Sequence, residues 1–345
     1  MLRIRKARFF RGIRLVLLVL VAQAVGAGAA LAGVPGSYGG PSNAELDAAR
    51  EWLWENPPNG SNRAERLERM AVIQAAADEL DKHDGRLYLL GLGKGSKDLD
   101  RYGALYYLRR ATDHAIADLR RTEVKHGLVG WHLYNMGYVF KTPEACFGVD
   151  VCLRDATSLV GDLDFLLVTH EHLDHHAGGL VKAMGEAGKP VITRFSRHGM
   201  VVEEPCVLTL GPIRVRIDIG DHSPSKGGVN DMLMFEIACG EAAGGCVIYH
   251  SGDGANYGKM TPEKPVDIFI PHVSCGGMDV AQAIRHMNPA ITFVSHVMEL
   301  THDRRGARWR YDFAYEQVKG VPEERAVVLT WGERWLLPGT EVRRH

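Results

Sequence analysis

Hydrophobic and polar residues follow a helical pattern in the first third of this chain. Apolar residues recur there at three- and four-residue spacing, which is the period of an amphipathic helix. The clearest case is the run Leu67, Met70, Ile73, Ala77 and Leu80. The pattern predicts helices over residues 43–55, 62–82 and 102–123, and two consecutive prolines end the first of them. We therefore expect a helical N-terminal extension.

From residue 131 onward, short apolar runs bounded by Gly, Pro and Asp predict β-strands. The predicted strands cover residues 131–141, 146–151, 164–169, 190–193, 207–210, 213–219, 232–238, 247–249, 266–270, 291–295 and 326–330. Helical patterns intervene near residues 179–187 and 280–287. This order is typical of an α/β fold in which two mixed sheets have helices outside.

The first 32 residues have the pattern of a secretory signal peptide. Six basic residues and no acidic one precede the apolar run 15–22, and Ala30-Leu31-Ala32 forms a small-residue cleavage site. The apolar run is shorter than the roughly 20 residues that a spanning helix needs. We expect cleavage after Ala32, no stable membrane insertion of the mature chain, and a periplasmic or secreted protein. Residues 33–127 then form a linker and the helical extension, and residues 128–345 form the β-rich domain.

Composition and charge narrow the class of partner. Hydrophobic residues make up 46% of the chain and charged residues 24%, which allows a packed core. The net charge is −1, but without residues 1–32 there are 35 basic residues against 42 acidic ones, a net charge of −7. A net-acidic mature chain argues against a nucleic-acid partner and favours a small-molecule substrate. The sequence does not determine whether the protein forms a homo-oligomer.

The predicted export makes disulfides between the six cysteines possible, because an oxidising compartment permits them. Cys239 and Cys246 flank a turn between two predicted strands, so they could face each other across a hairpin. This pair is the best disulfide candidate. The sequence contains no C-x-x-C, so it indicates no cysteine zinc cluster.

The most informative pattern is a cluster of histidines directly after the predicted strand 164–169. Four side chains that can bind a metal fall within six residues there, namely His170, His172, Asp174 and His175. A turn at the carboxyl end of a strand can bring alternate side chains of such a run into one pocket. The sequence therefore predicts a metal site at this turn.

This H-x-H-x-D-H run resembles the signature of the metallo-β-lactamase superfamily. Members of the family add a third histidine, an aspartate in a Gly-Asp context and a final histidine, and His222, Asp253 and His296 stand in that order here. Residues 133–141 and 147–150 look like the opening hairpin of the family. The resemblance covers about residues 128–340. It implies a four-layer αββα sandwich of two mixed β-sheets with outer helices, the helical extension lying outside it.

The resemblance also implies a ligand set. His170, His172 and His222 would hold one metal, and Asp174, His175 and His296 the other. Asp253 would bridge the two, and the aspartates of the set, Asp174 and Asp253, are assigned as catalytic. Two divalent ions are expected, with zinc as the best match to this donor set. A metal-bound hydroxide would then attack the substrate.

Five further residues lie near this set in the sequence pattern but are not assigned as ligands. His250 and Glu299 are candidates for orienting a ligand, and His302 is another, while His272 is a candidate for substrate contact. Packing roles remain the alternative for each of them. His176 is expected to turn away from the metals.

The implied activity is hydrolysis of an ester, lactone or phosphodiester by an exported dinuclear enzyme. One alternative is a mononuclear iron oxygenase acting on a thiol or persulfide, with His170, His172 and Asp253 as its ligands. A β-lactamase and a non-catalytic binding module are further alternatives. Fold alone does not choose between them.

Overall fold

The computed structural model describes residues 40–80, 102–153, 155–222, 230–302 and 308–345. The predicted signal peptide, residues 1–32, lies outside the described residues. Six α-helices are found in the described part: α1 (Asn43–Glu55), α2 (Arg63–Leu80), α3 (Gly103–Arg121), α4 (Gly178–Glu186), α5 (Val280–Met287) and α6 (Tyr311–Gln317). None of these helices has the length and apolar character needed to cross a membrane.

One seven-stranded sheet comes mainly from the first half of the β-rich region. Its order is β15 (Arg334–Leu336), β2 (Val129–Tyr134), β3 (Gly137–Lys141), β4 (Cys146–Val149), β5 (Phe165–Leu167), β6 (Val191–Thr193) and β7 (Met200–Val201). Strands β15 to β4 pair antiparallel, and β4 to β7 pair parallel. The sheet is therefore mixed, as the strand and helix order predicts.

A second seven-stranded sheet follows along the chain. Its order is β14 (Ala326–Val327), β13 (Ile291–Phe293), β12 (Ile268–Ile270), β11 (Val247–His250), β10 (Asn230–Ala238), β9 (Ile213–Asp221) and β8 (Cys206–Leu210). Strands β8 to β11 pair antiparallel, and β11 to β14 pair parallel. A separate two-stranded pair joins β1 (Thr122–His126) to β16 (Glu341–Arg344).

Three hydrophobic clusters define the layers. Phe140 and Phe147 of the first sheet share one cluster with Ile217 and Phe235 of the second, so the two sheets pack face to face. Helices α1, α2, α3, α5 and α6 cover the outer face of the second sheet. Helix α4 and part of α3 cover the outer face of the first. The predicted αββα sandwich is confirmed, and the helical extension supplies part of an outer layer.

The sequence pattern missed or merged several elements. The run 131–141, predicted as one strand, is the hairpin of β2 and β3, with Asn135 at its turn in a left-handed conformation (φ 54°). Short edge strands and the last helix were not predicted either; they are β1, β7, β15, β16 and α6. Strands β7 and β15, of two and three residues, have too few residues to show a period.

Cys239 and Cys246 are both free cysteines in the structure, which does not contain the predicted disulfide between them. The turn does bring them together, since the Cys239 N–H donates to the Cys246 carbonyl at 2.9 Å. The neighbouring Cys246 thiol and burial raise the pKa of Cys239 well above its ordinary value. A buried, protonated thiol is a poor nucleophile for disulfide exchange.

Strand direction gathers the ends of six strands at one rim. In the first sheet β4 and β5 are parallel, and in the second β11, β12 and β13 are parallel. Strand β9 runs in the same direction as β11, because both pair antiparallel with β10. Five of these strands are followed within a few residues by a polar side chain of the predicted site, and β4 is followed by Asp150, which was not predicted.

Candidate metal centre

The loop after β5 carries the first four predicted ligands. His170, Asp174 and His175 are buried, whereas His172 is exposed. The loop is joined to the second sheet because the Leu233 N–H donates to the carbonyl oxygen of Thr169 at 2.8 Å. The start of this loop therefore lies at the rim where the two sheets meet.

One group of potential metal ligands comprises His170, His172, His222 and Asp253, whose ligand atoms all lie within 4.8 Å of one another. The His222 Nε2 atom is 3.1 Å from Asp253 Oδ2, and the His170 Nε2 atom is 3.7 Å from the same oxygen. These are the three histidines that the family resemblance assigns to one metal, together with the bridging aspartate.

A second group lies against the same carboxylate. The ligand atoms of His175, Asp253 and His296 are within 4.8 Å of one another. The His175 Nε2 atom is 3.0 Å from Asp253 Oδ1, and the His296 Nε2 atom is 3.1 Å from Asp174 Oδ2. The structure thus brings together all seven residues of the predicted ligand set, with Asp253 between its two halves.

Gly252 allows the tight backbone turn that places Asp253 in the site. It has a φ of 51°, and a Cβ atom there would lie 2.6 Å from the Met232 side chain and 2.9 Å from Thr169. A larger residue would be strained in its backbone and would push the β11 turn away from the histidine loop. A glycine directly before Asp253 is therefore required by the backbone conformation and the close packing of this turn.

Asp150, at the end of β4, orients two of the ligand histidines. Its carboxylate accepts from the Thr169 N–H at 2.8 Å and from the Thr169 hydroxyl at 2.7 Å. That hydroxyl lies 2.9 Å from His170 Nδ1, and Asp150 itself lies 2.8 Å from His175 Nδ1. Both imidazoles therefore carry their proton on Nδ1, which leaves each Nε2 lone pair for a metal.

Sequence reasoning assigned no site role to Asp150 or to Asn135, whose side-chain amide donates to Asp174. Both lie in segments that the resemblance covers only as a hairpin. A signal was present, because Asp150 is a charged residue directly after an apolar strand that ends at the same rim.

The two predicted accessory histidines of the second sheet differ in their contacts. His250 is buried, with Nε2 2.9 Å from the Met136 carbonyl and with Nδ1 accepting from the Gly252 N–H, so it supports the turn before Asp253. His272 stacks on His296, with ring centroids 4.1 Å apart. It also forms a third potential ligand group with Asp253 and Cys275.

The other predicted accessory residues lie after β13. Glu299 is fully buried and accepts from the Tyr134 hydroxyl at 2.7 Å. His302 is partly exposed and belongs to a potential ligand group with Asp174 and His296. His176 is outside every such group found among the described residues, and its Nδ1 lies 3.0 Å from the His172 carbonyl.

The electrostatics of the centre favour positive charge. Burial alone would raise the pKa of Asp253, but His175 and His296 outweigh burial and hold it well below its usual range. Burial would lower the pKa of His175, but the carboxylates of Asp253, Asp174 and Asp150 outweigh it and hold that pKa well above its ordinary value. The same carboxylates that stabilise a proton on His175 would also stabilise a metal cation, which would replace that proton on the imidazole.

The buried imidazole nitrogens of the site are better placed to bind a metal than to form hydrogen bonds with one another. His170 Nε2 and His175 Nε2 are buried without a well-directed hydrogen bond among the described residues. Leaving buried polar atoms unsatisfied costs about 1–3 kcal/mol each, a cost that metal coordination removes. Imidazole nitrogens with a few carboxylate oxygens suit zinc and iron, so the residues present fit a divalent metal.

Comparison with known proteins gives likeness in structure only. No protein-family model matches the sequence, and no curated protein is similar to it. The metallo-beta-lactamase fold protein YhfI from Bacillus subtilis is similar, with 15% identity over 61% of this chain and 100% of that chain and a TM-score of 0.47. The metallo hydrolase Igni18 from Ignicoccus hospitalis has 14% identity over 61% of this chain and 98% of that chain, at a TM-score of 0.47.

The diiron β-hydroxylase CmlA from Streptomyces venezuelae is also similar, at 13% identity and a TM-score of 0.44, over 61% of this chain and 54% of that chain. At these identities and scores the likeness carries no inference about substrate or bond type. Layers, strand order and ligand groups are properties of this chain itself. They provide an αββα sandwich and seven clustered histidine and aspartate side chains that fit a divalent metal.

Proposed function

We propose that this chain is an exported dinuclear metal-dependent hydrolase of the metallo-β-lactamase type that cleaves an ester, a lactone or a phosphodiester. The observation that carries the proposal is the position of Asp253. One of its oxygens lies 3.1 Å from His222 Nε2 and the other lies 3.0 Å from His175 Nε2. A carboxylate shared by two ligand groups is suited to bridging two cations.

Two divalent cations held here would supply a water that is acidic near neutral pH and would polarise the substrate oxygen. The protein's own part is to hold the ligands in one tautomer and one place. Asp150 does this for His170 and His175, and the Asn135 amide holds Asp174 in place by donating to its carbonyl and its carboxylate. Ligands fixed in this way need no rearrangement when the substrate binds.

His272 is suited to donate a hydrogen bond to a substrate oxygen. The Ser274 N–H donates to its Nδ1 at 2.8 Å, so the ring proton is on Nε2. Burial, together with the nearby His296, holds the pKa of His272 well below its ordinary value, so the ring is neutral. A neutral donor beside the ligands can stabilise negative charge that develops on a substrate oxygen.

Exposure indicates where a small-molecule substrate enters. His172 is exposed and the side chain of His222 is 22% exposed, whereas His175 and His296 are buried. Leu173, between two ligands of the loop, is 70% exposed. The His172 side of the centre is therefore the open side, and Leu173 offers an apolar contact at its edge.

The arrangement favours the dinuclear hydrolase over the mononuclear oxygenase. A single iron would use His170, His172 and Asp253, which leaves no role for the second group. His175 and Asp174 with His296 are instead buried and close together. Buried ionisable side chains without a function would be an unneeded cost.

The test is metal analysis together with substrate panels, on the protein that begins at Gly33. We expect about two zinc ions per chain and hydrolysis in at least one of three panels, of acyl esters, lactones and phosphodiesters. The variant Asp253→Ala should lose metal and activity together, whereas His176→Ala should keep both. A preparation that holds iron and consumes oxygen with a thiol, or that is inert on all three panels, would contradict the proposal.

Export has a separate test. When the full chain is produced with its first 32 residues, the exported product should begin at Gly33 by N-terminal sequencing. Recovery of only uncleaved chain inside the cell would contradict this part of the proposal and leave the hydrolase part standing.

A further inference from the structure

The segment after β13 is folded tightly around a single buried carboxylate. Glu299 accepts from the Thr301 N–H at 2.9 Å, from the Thr301 hydroxyl at 2.5 Å and from the His302 N–H at 2.8 Å. The hydroxyl of Tyr134 donates to Glu299 at 2.7 Å and accepts from the Leu300 N–H at 2.7 Å. Five residues are thus held in one network, which fixes the course of the loop.

Two residues before this network have an unusual backbone. His296 and Met298 both have a φ of 59°, in the left-handed region that residues other than glycine rarely adopt. Such conformations persist when the surrounding contacts require them. Here they turn the chain after β13 so that His302 comes back beside His296, with ring centroids 5.9 Å apart and an angle of 29° between the ring planes.

The His302 ring lies close to two residues of the predicted ligand set. One ligand atom each of His302, Asp174 and His296 lie within 4.8 Å of one another. The Nδ1 atom of His302 is 2.9 Å from Glu299 Oε2, an ion-pair distance without well-directed hydrogen-bond geometry, and the nearby carboxylate favours a proton on Nδ1. Nε2 is then the atom with a free lone pair. Histidines that bind metals usually have a carboxylate or a carbonyl at their other ring nitrogen, and Glu299 stands in that place here.

We propose that His302 is an eighth ligand of the metal centre, that it joins Asp174 and His296 in holding the second metal, and that Glu299 is the residue that positions it. The family resemblance assigns seven ligands, so this residue is additional to the implied set. The inference rests on the proposed dinuclear function. Because His302 is partly exposed whereas Asp174 and His296 are buried, it would close the outer side of the second position.

Cobalt titration tests the assignment without a substrate. Metal-free full-length mature protein is titrated with Co²⁺, and the visible absorption of the bound ion reports the number of ions and their coordination. We expect two ions in the unaltered protein. In His302→Ala the affinity for one of them should fall by about tenfold or more, and its absorption should change. Glu299→Gln should shift the same ion in the same direction by less.

His176→Ala is the matched control, since it removes a histidine that is also adjacent to the ligand loop but lies outside every described ligand group. Circular dichroism checks that each variant is folded. Two ions with unaltered affinity and absorption in His302→Ala would overturn the proposal, even if turnover fell, because the residue would then act on protons or substrate. Fewer than two ions in the unaltered protein would instead overturn the dinuclear function from which the proposal starts.

Discussion

Asp150 shows how one residue outside the ligand set can control two ligands. It accepts from His175 directly and reaches His170 through the Thr169 hydroxyl. Its φ is 47°, a left-handed conformation that Asp and Asn tolerate better than most residues. An asparagine there would keep the backbone and the size but would lose the charge that fixes both tautomers.

We therefore expect Asp150→Asn to fold normally and to bind metal about 10- to 100-fold more weakly. Metal affinity is measured by competition with a chromophoric chelator. Asp162→Asn is a suitable control, because Asp162 pairs with Arg120 at the surface, away from the centre. Unaltered affinity in Asp150→Asn would show that Asp150 does not set the tautomers.

His250 gives a pH dependence of stability with a definite sign. Burial lowers its pKa, and the neutral ring already uses both nitrogens, with Nε2 at Met136 and Nδ1 at Gly252. In the unfolded chain a histidine titrates near pH ~6.5. Below that pH the unfolded state binds more protons than the folded state, so the free energy of unfolding falls as the pH falls.

Urea unfolding of metal-free protein at pH 7 and pH 5.5 measures this effect. His250 contributes a slope of up to about 1.4 kcal/mol per pH unit below pH ~6.5. His250→Gln should lower stability at pH 7 but should reduce the loss between the two pH values. Other buried histidines contribute to the pH dependence of stability in both proteins, so the measurement that matters is the difference in slope between the unaltered protein and His250→Gln. Equal slopes would show that His250 does not contribute to the pH dependence.

At the scale of elements, Arg308 joins the helical extension to the metal-site loop. Its buried guanidinium donates to the Ala77 carbonyl at 3.0 Å, in the last turn of α2, where carbonyls lack helical partners. It also donates to the carbonyls of Glu299 and Leu300 at 3.2 Å each. Helix α2 and the loop that carries His302 are thus held by one side chain.

Arg308→Ala should lower the free energy of unfolding by at least about 1–3 kcal/mol, because it leaves buried carbonyls unsatisfied. It should also weaken metal binding through the loop. The control is Arg310→Ala, because Arg310 binds Asp78 of the same helix but is 37% exposed. Its loss should cost about 1 kcal/mol or less. Equal losses in the two variants would contradict the special role of Arg308.

At the scale of the whole molecule, the helical extension is part of the sandwich. Arg66 of α2 pairs with Glu333 at 2.7 Å, and both side chains are buried. Asp118 of α3 accepts from the Trp131 indole at 3.1 Å. Without the extension, Glu333 would be a buried charge without its partner, and the outer faces of both sheets would lose apolar cover.

Deletion of residues 33–125 should therefore give aggregated protein or a large fall in melting temperature. Size-exclusion chromatography and thermal unfolding measure this. A control that lacks only residues 33–39 should behave like the mature protein. A monodisperse product of the large deletion with an unaltered melting temperature would show that the extension is dispensable for folding.

The sequence by itself determined the local features. Helices α1 and α5 have their predicted bounds, because their apolar periods and stop signals lie within a few residues of each other. The histidine run and the Gly-Asp turn were likewise visible, because a strand end concentrates their chemistry in a short segment. The family resemblance added the ligands that are distant in sequence.

Only the tertiary structure decided which distant groups meet. Asp150 reaches two histidines because β4 and β5 are parallel neighbours that end at one rim, and no sequence period encodes that pairing. His302 reaches Asp174 because a buried carboxylate and two left-handed residues turn the loop back. The extension joins the core through single buried contacts such as Arg66 with Glu333. Such contacts depend on packing between segments that are distant along the chain, by 25 residues for Asp150 and His175 and by 267 for Arg66 and Glu333, whereas sequence patterns report on neighbours along the chain.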